Sequence, residues 1–291
     1  MVAKAPRFSV LLPTHNRADV VGTAISSILR QTNADFELLV VGDGCTDKTA
    51  DVVTSFGDER IRWFDLPKAP GFGYANRNIA LKEARGDLIA FAAHDDLLLP
   101  DHLERMGKLF EQPECHFAYS RPLWIDDAGR VFPFFVNLQS LRQMRRFLNV
   151  RNILPATTVV HRRSCFDDVG YWSEDLDKAA DWDMWVRIIR KTGPARAGFC
   201  RVPTTLHFRA NWRAVDRWGP APLNYMEGVA DARGKWPDGL CFDASNKNGT
   251  LQGHVLEQFN ELRSRQLRRA VVELQDEFSW ESSFPLSFER G

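Results

Sequence analysis

Cysteine is scarce and scattered in this chain. Five occur in 291 residues (Cys45, Cys115, Cys165, Cys200 and Cys241), with no CxxC pair. An odd count at wide spacing argues against a disulfide framework or a structural zinc site and suits a reducing compartment. An excess of charge is also missing. Lys+Arg and Asp+Glu number 38 each, so the basic surplus of a nucleic-acid binder is not there. Long apolar runs are absent too. Met1 to Arg7 lacks the apolar core of a signal peptide, and no stretch approaches the ~20 residues of a membrane span. No internal repeat is visible. These absences lead to the expectation of a cytoplasmic chain with no nucleic-acid partner.

What is present is an alternation of short apolar runs with helical periodicity. Phe8–Leu12, Phe36–Val41, Ile61–Phe64 and Leu88–Ala92 read as buried strands, the first ending at Pro13. Between them Val20, Val21, Ala24, Ile25, Ile28 and Leu29 recur at helical spacing with Asp19 in the first turn. Asp47 is placed to cap a short helix, and Tyr74–Ala84 is a third helix. A βαβαβαβ order predicts an α/β fold, a mostly parallel twisted sheet flanked by helices, with ligands at the carboxyl ends of the strands. Further on, helices are predicted at Pro100–Phe110, Gln139–Leu148 and Asp181–Lys191, and strands at Phe117–Arg121, Arg130–Phe135, Thr157–His161 and Phe199–Pro203. The element order changes near residue 100, which divides residues 1–215 into two expected halves, 1–100 and 101–215. From 216 the chain reads as loop through Gly253, then as one helix from Val255 to Phe278. The nearly single apolar stripe of that helix predicts docking on the body or on a second subunit as a homodimer.

Five polar clusters fall at predicted strand ends or helix starts. Pro13-Thr14-His15-Asn16-Arg17 follows the first strand, where such groups meet an anion or a base, or cap the next helix through Thr14 or Asn16. In Gly42-Asp43-Gly44 an acid able to accept from a base or ribose sits in a turn common to many loops. Gly71-Phe72-Gly73 opens the helix bearing Arg77, a partner for a phosphate or a carboxylate. It lacks the third glycine of the dinucleotide fingerprint, which argues against a nicotinamide enzyme. His94-Asp95-Asp96 crowds two acids, which a cation or water must relieve; a solvated helix-capping turn is the plain alternative. Asp181-Trp182-Asp183 opens a helix, where the macrodipole alone explains acids and where Asp181 could also serve as a general base.

In this order the clusters resemble family 2 of the inverting glycosyltransferases, which have the GT-A fold. The resemblance runs from about Phe8 to Asn211, through VLLPTHNR (Val10–Arg17), LLVVGDGCTDKT (Leu38–Thr49), Asn76–Pro100 and Val159–Ile188. It implies a nucleotide-diphospho-sugar donor, UDP first among the nucleotides, and an Mn2+ or Mg2+ cofactor. Pro13, Thr14, Asn16, Arg17, Asp43, Arg77 and His94 would line the donor site, Asp95 would bind the metal, and Asp181 would be the catalytic base. The acceptor would be a glycan end, a lipid-linked sugar or another hydroxyl, with residues 1–100 as the nucleotide-sugar- and metal-binding half and 101–215 as the acceptor half.

Four positions depart from the family pattern. Gly42 replaces the first acid of the second-strand pair, and Ala93 the first acid of the metal motif. Ala180 stands for the acid before Asp181, and Asn211 for a histidine near the metal. A non-catalytic nucleotide-sugar or carbohydrate-binding relative is therefore the alternative. A nucleotidyltransferase is a further one, though the phosphate loop expected there is missing. Arg142, Arg145 and Arg146 with Phe134, Phe135 and Phe147 are placed as a peripheral contact with the inner face of a membrane, as a contact with an anionic acceptor, or as a solvated basic helix over a core contact.

Overall fold

The computed structural model describes residues 5–134, 136–208, 222–245 and 249–277. The first half is the expected alternation: β1 (Phe8–Thr14), α1 (Val21–Leu29), β2 (Phe36–Asp43), α2 (Thr49–Ser55), β3 (Ile61–Leu66), α3 (Tyr74–Lys82) and β4 (Leu88–Phe91). A two-residue strand β5 (Leu97–Leu98) and α4 (His102–Leu109) lead to β6 (Phe117–Ile125) and β7 (Val131–Pro133). Next come α5 (Leu141–Asn149), β8 (Val159–Arg162), α6 (Cys165–Val169), α7 (Ala180–Thr192) and β9 (Gly198–Phe208). The sheet order is β3-β2-β1-β4-β8-β6-β9-β5, with β7 paired to β6. β1 to β4 are parallel, and antiparallel β8 links them to the β6–β9 pair.

β1 and β2 are buried along almost every residue, as strands covered on both faces must be. One core lies between the sheet and α3, α5, α6 and α7. A second, beneath α1, α2 and α4, holds Val10, Leu12, Ile25 and Met106.

Pro13 does not end β1. The strand runs on to Thr14, paired to Gly42 of β2. On its other side the pairing with β4 stops at Leu11 and Phe91, followed by one bond from the Ala92 N–H to Leu11. The next rung needs an N–H that proline lacks, so β4 leaves β1 there. The gap that opens is where the polar clusters gather. Gly42 also has a local cause: a Cβ there would lie 2.3 Å from the Trp63 ring. The indole of β3 occupies the space that a larger residue would need.

Several predicted bounds are corrected. Asp19 lies ahead of α1, whose first turn carries no acid. β9 continues past Pro203, because the register against β6 shifts at Arg121 and Pro203 and the irregularity absorbs the missing donor. The region read as loop contains α8 (Pro222–Arg233), which opens on a proline, where a missing N–H is harmless. The single last helix is two, α9 (Leu251–Gln258) and α10 (Glu261–Glu277). Asn260 breaks it, its Oδ1 accepting from the Arg263 N–H at 2.8 Å as an N-cap. Phe278 lies outside the described residues.

The predicted apolar stripe docks on the body. Leu267, Val271 and Leu274 join Met226, Trp236 and Phe242 in a third core against Leu123, Val131 and Leu206. Arg268 grips Asp101 with two bonds of 2.9 and 2.6 Å. All five cysteines are free thiols. Among the described residues no helix is long and apolar enough to cross a membrane.

Candidate active site

The first two polar clusters are tied to each other. Asn16 takes a left-handed backbone, φ 50°, which asparagine tolerates better than most residues. Its Oδ1 accepts from the Thr46 N–H at 2.7 Å and from the Asp47 N–H at 3.3 Å. It therefore pins the β2 loop instead of capping α1, whose N-cap is Val20. Asp47 accepts from the Thr49 N–H at 3.0 Å and the Ala18 N–H at 3.1 Å, which ties α2 to the loop after β1. Arg17 holds the Thr49 hydroxyl through its N–H and pairs with Asp19 at 3.1 Å. His15 Nδ1 donates to the Asp43 carbonyl at 2.7 Å. Thr14 is buried, and its hydroxyl has no hydrogen-bond partner among the described residues.

Asp43 is engaged by its own chain. It receives Lys68 Nζ at 2.6 Å, the Ala69 N–H at 2.8 Å and Asn76 Nδ2 at 2.7 Å, and is 7% exposed. Gly73, at φ 73°, lies so close that a Cβ would sit 2.5 Å from the Asp43 carboxylate. The glycine loop is therefore held against the end of β2, and α3 starts from it. Arg77 lies over the rings of Tyr74 and Trp172, 5.2 and 5.1 Å from their centres. Asn78 clasps Trp172, accepting from its N–H at 3.1 Å and donating to its carbonyl at 2.9 Å.

The acids after β4 divide their work. Asp96 is 3% exposed and accepts from the Thr157 hydroxyl at 3.0 Å, His207 Nδ1 at 2.7 Å and the Phe208 N–H at 3.2 Å. It joins β4 to the 156–158 turn and to β9. Asp95 lies beside His94, whose Nε2 is 4.0 Å from its Oδ2. His94 Nδ1 faces the Pro13 carbonyl at 3.2 Å; a carbonyl only accepts, so the ring proton sits on Nδ1. Burial, and after it the charge of Arg17, holds the imidazole below its ordinary pKa against the pull of Asp95 and Asp96. Pro13, Arg17, His94, Asp95 and Asp96 thus form one cluster.

Asp181 stands in the first turn of α7 and accepts from the Trp182 N–H at 2.7 Å. Ala179, just before the helix, has φ 61°, a left-handed conformation that costs a non-glycine residue roughly 1 kcal/mol. Ala180 is fully buried in the core, so a charged side chain there would enter an apolar interior. Burial pushes the Tyr74 hydroxyl up in pKa; the Ala180 amide opposes this and the Asp181 charge adds to it. Tyr74, adjacent to Gly73, therefore links the Asp43 loop to the helix of Asp181. Asp183 pairs with Arg187 at 2.9 Å and has a structural role. The Trp182 indole is likewise committed, donating to the Phe147 carbonyl at 2.7 Å.

Lys68, Tyr74, Asn76, Thr157, Trp172 and His207 escaped sequence reading. Only Tyr74 and Asn76 carried a signal, since both fall within the glycine-rich cluster. Asn211 lies outside the described residues. A cavity of about 760 Å3 opens beside the loop after β1, between residues 16–20, Asp47, Asp127, Phe208 and Thr250–Gln252. Neither Asp95 nor Asp181 lines it.

The sequence pattern of glycosyl transferase family 2 matches residues 9–170, more than half of the chain. The chain belongs to this family. An uncharacterized protein of Mycobacterium tuberculosis is 30% identical over 230 residues, covering 72% of this chain and 69% of its own length. An Escherichia coli UDP-Glc:alpha-D-GlcNAc-diphosphoundecaprenol beta-1,3-glucosyltransferase is 37% identical over 111 residues, 38% of this chain and 44% of its own. Other relatives are spanned over 31–67% of their length. Staphylococcus aureus TarS 1–349 in complex with UDP superposes with a TM-score of 0.56 at 19% identity, over 96% of this chain and 74% of that one. A Pyrobaculum calidifontis mannosyltransferase in complex with GDP-Man and Mn2+ gives 0.54 at 16%, over 96% and 78%. The fold of this family 2 member is GT-A.

The fold implies a divalent cation. Among the described residues no three His, Cys, Asp or Glu side chains gather as a cage. Mg2+ and Mn2+ on nucleotide diphosphates need only one or two carboxylates, with phosphate oxygens and water completing the shell. Asp95, a hard oxygen donor after β4 whose neighbour Asp96 is spent on other partners, fits that requirement.

Proposed function

We propose that this protein transfers a sugar from a nucleotide diphosphate, UDP first, to an acceptor hydroxyl with inversion at the anomeric carbon. The observation that carries the reading is the buried Thr14 hydroxyl without a described partner. It lies at the carboxyl end of β1, beside Asp43 at the end of β2, with Asp95 beyond β4. A buried hydroxyl left unsatisfied costs about 1–3 kcal/mol, which a donor group would offset. Pro13, Asn16 and Arg17 shape the same rim, His94 stands against Pro13, Asp43 holds the glycine loop beside it, and Arg77 follows that loop on α3.

Asp181 takes the proton from the acceptor hydroxyl. That oxygen attacks the anomeric carbon as the bond to the diphosphate breaks on the opposite face. Asp95 would hold the divalent ion, which when bound supplies positive charge against the diphosphate. Arg77, lying over the rings of Tyr74 and Trp172, keeps a positive charge near the leaving group. A glycan or lipid-linked acceptor follows the Escherichia coli relative's lipid-linked substrate. Five free thiols accord with the reducing cytoplasm.

Calorimetric titration with UDP, GDP, CDP and dTDP, with and without Mn2+, tests this. The expected result is metal-dependent binding of one nucleotide, UDP first. Binding of none by folded protein sinks the reading, and binding of a nucleotide sugar without turnover makes the chain a binding relative.

A further inference from the structure

From residue 128 to residue 166 the chain carries seven arginines and no Asp or Glu, although the whole sequence is charge-neutral. α5 displays much of this charge. Its Met144 and Phe147 are buried, which turns Leu141, Arg142, Arg145 and Asn149 to the opposite face. Phe147, grouped with these arginines in the sequence, is a core residue and unavailable to a surface. Leu141 at one end is 75% exposed and Val150 at the other 65%, more than any other large apolar side chain among the described residues.

Arg142, Arg145, Arg146 and Arg151 form no ion pair among the described residues. Burial, and then the neighbouring Arg146, holds the Arg151 guanidinium below its ordinary pKa, a sign of like charges crowded without a carboxylate between them. From α7, Arg190 donates to the Leu148 carbonyl at 2.9 Å and to Asn149 at 3.2 Å, which brings its charge and the exposed Lys191 to the same end.

A soluble anion would use the arginines alone. Two exposed aliphatic side chains flanking an arginine row match a boundary where headgroup phosphates adjoin acyl chains. We propose that α5, with Arg151, Arg190 and Lys191, is a docking face for an anionic membrane surface. The Trp182 bond to the Phe147 carbonyl pins this helix to the first turn of α7, one residue from Asp181. Presentation of a lipid-borne acceptor to Asp181 rests on the function proposed above; the docking itself does not.

Co-sedimentation of the full chain with phosphatidylcholine vesicles, with and without phosphatidylglycerol, tests the proposal. The protein should pellet only with the anionic vesicles and be released by salt. Arg142→Gln with Arg145→Gln should weaken partitioning about 30-fold, and Leu141→Ser should weaken it less, with unchanged circular dichroism in each case. No retention, equal retention on both vesicles, or full retention of the double variant overturns it. So does release by inorganic pyrophosphate at constant ionic strength, which would make the arginines a pocket for a small anion. Lost vesicle binding with intact UDP binding removes the docking face and leaves the transfer reading standing; the reverse result does the opposite.

Discussion

Around β1–β3 the ties that shape the site join segments close in sequence. Asn16 reaches Thr46 across 30 residues, His15 reaches Asp43 across 28, and Asp43 reaches Ala69 across 26. Around β4–β9 they are long. Asp96 reaches Thr157 across 61 residues and His207 across 111, and Asn78 reaches Trp172 across 94. The difference follows from connectivity. Successive parallel strands bring their loops side by side through one short crossover each, whereas the β4–β9 side is closed by an antiparallel strand and a distant β9. The β1–β3 side is a local product of the chain, and the β4–β9 side needs the whole fold assembled.

The largest expected effect tests whether the long-range half holds the chemistry. Asp181→Asn should lower turnover by roughly 10^2–10^4-fold, the span of a general base, while UDP binding stays near wild type; turnover and calorimetry measured together separate the two. Near-native transfer would move the base elsewhere and erase the division of labour.

Asp96 is the hub of the long-range ties. Asp96→Ala strands the Thr157 hydroxyl and the Phe208 N–H, so urea denaturation should show a loss of about 3 kcal/mol. An effect below about 1 kcal/mol would mean that the β4–β9 side is held by apolar contacts alone.

Acid should separate the halves. His102 in α4 and His161 in β8 are fully buried, and burial pushes both from 6.5 down to about 4. The unfolded chain takes up these protons below 6.5 while the folded chain refuses them until about 4, so stability falls as pH drops through that window. Between pH 7 and 5 each contributes a loss of about 2 kcal/mol. On the β1–β3 side, burial pushes Glu37 up, but the Ser9 hydroxyl, Arg85 and Arg62 outweigh it and hold the carboxyl below 4.5. Its contribution persists until the pH falls below that value. His161→Phe should flatten the pH 7-to-5 decline by about 2 kcal/mol in paired denaturation curves; an unchanged slope would locate the acid sensitivity elsewhere.

The smallest effect belongs to Lys68. It is half-exposed, and its pair with Asp43 is one of three bonds on that carboxylate. Lys68→Met should cost less than about 1 kcal/mol in the same assay. A larger loss would show the loops after β1 to β3 to be less self-sufficient than their short ties suggest.

Much of the site's frame was legible in the residues. β1 to β4, the clusters after β1, β2 and β4, and Asp181 at a helix start all follow from apolar runs broken by Gly, Pro and polar groups. β9 was cut short because Pro203 reads as a strand end, and only its partner β6 shows the register shift that tolerates it. α8 was missed because a proline and a glycine mask a helix whose Met226 and Ala230 become apolar contacts only against β6 and β7.

By itself the sequence determined the parallel sheet, the polar rim at its carboxyl ends and the absence of a disulfide framework, because periodicity and turn chemistry act over a few residues. Tertiary structure alone decided that Trp63 fills the place beside Gly42 and that Asp96 is spent on His207 and Thr157. It also decided that Ala179 is bent into a left-handed turn before Asp181. Each of these depends on which distant side chain arrives at a given atom, and no short-range pattern encodes that arrival.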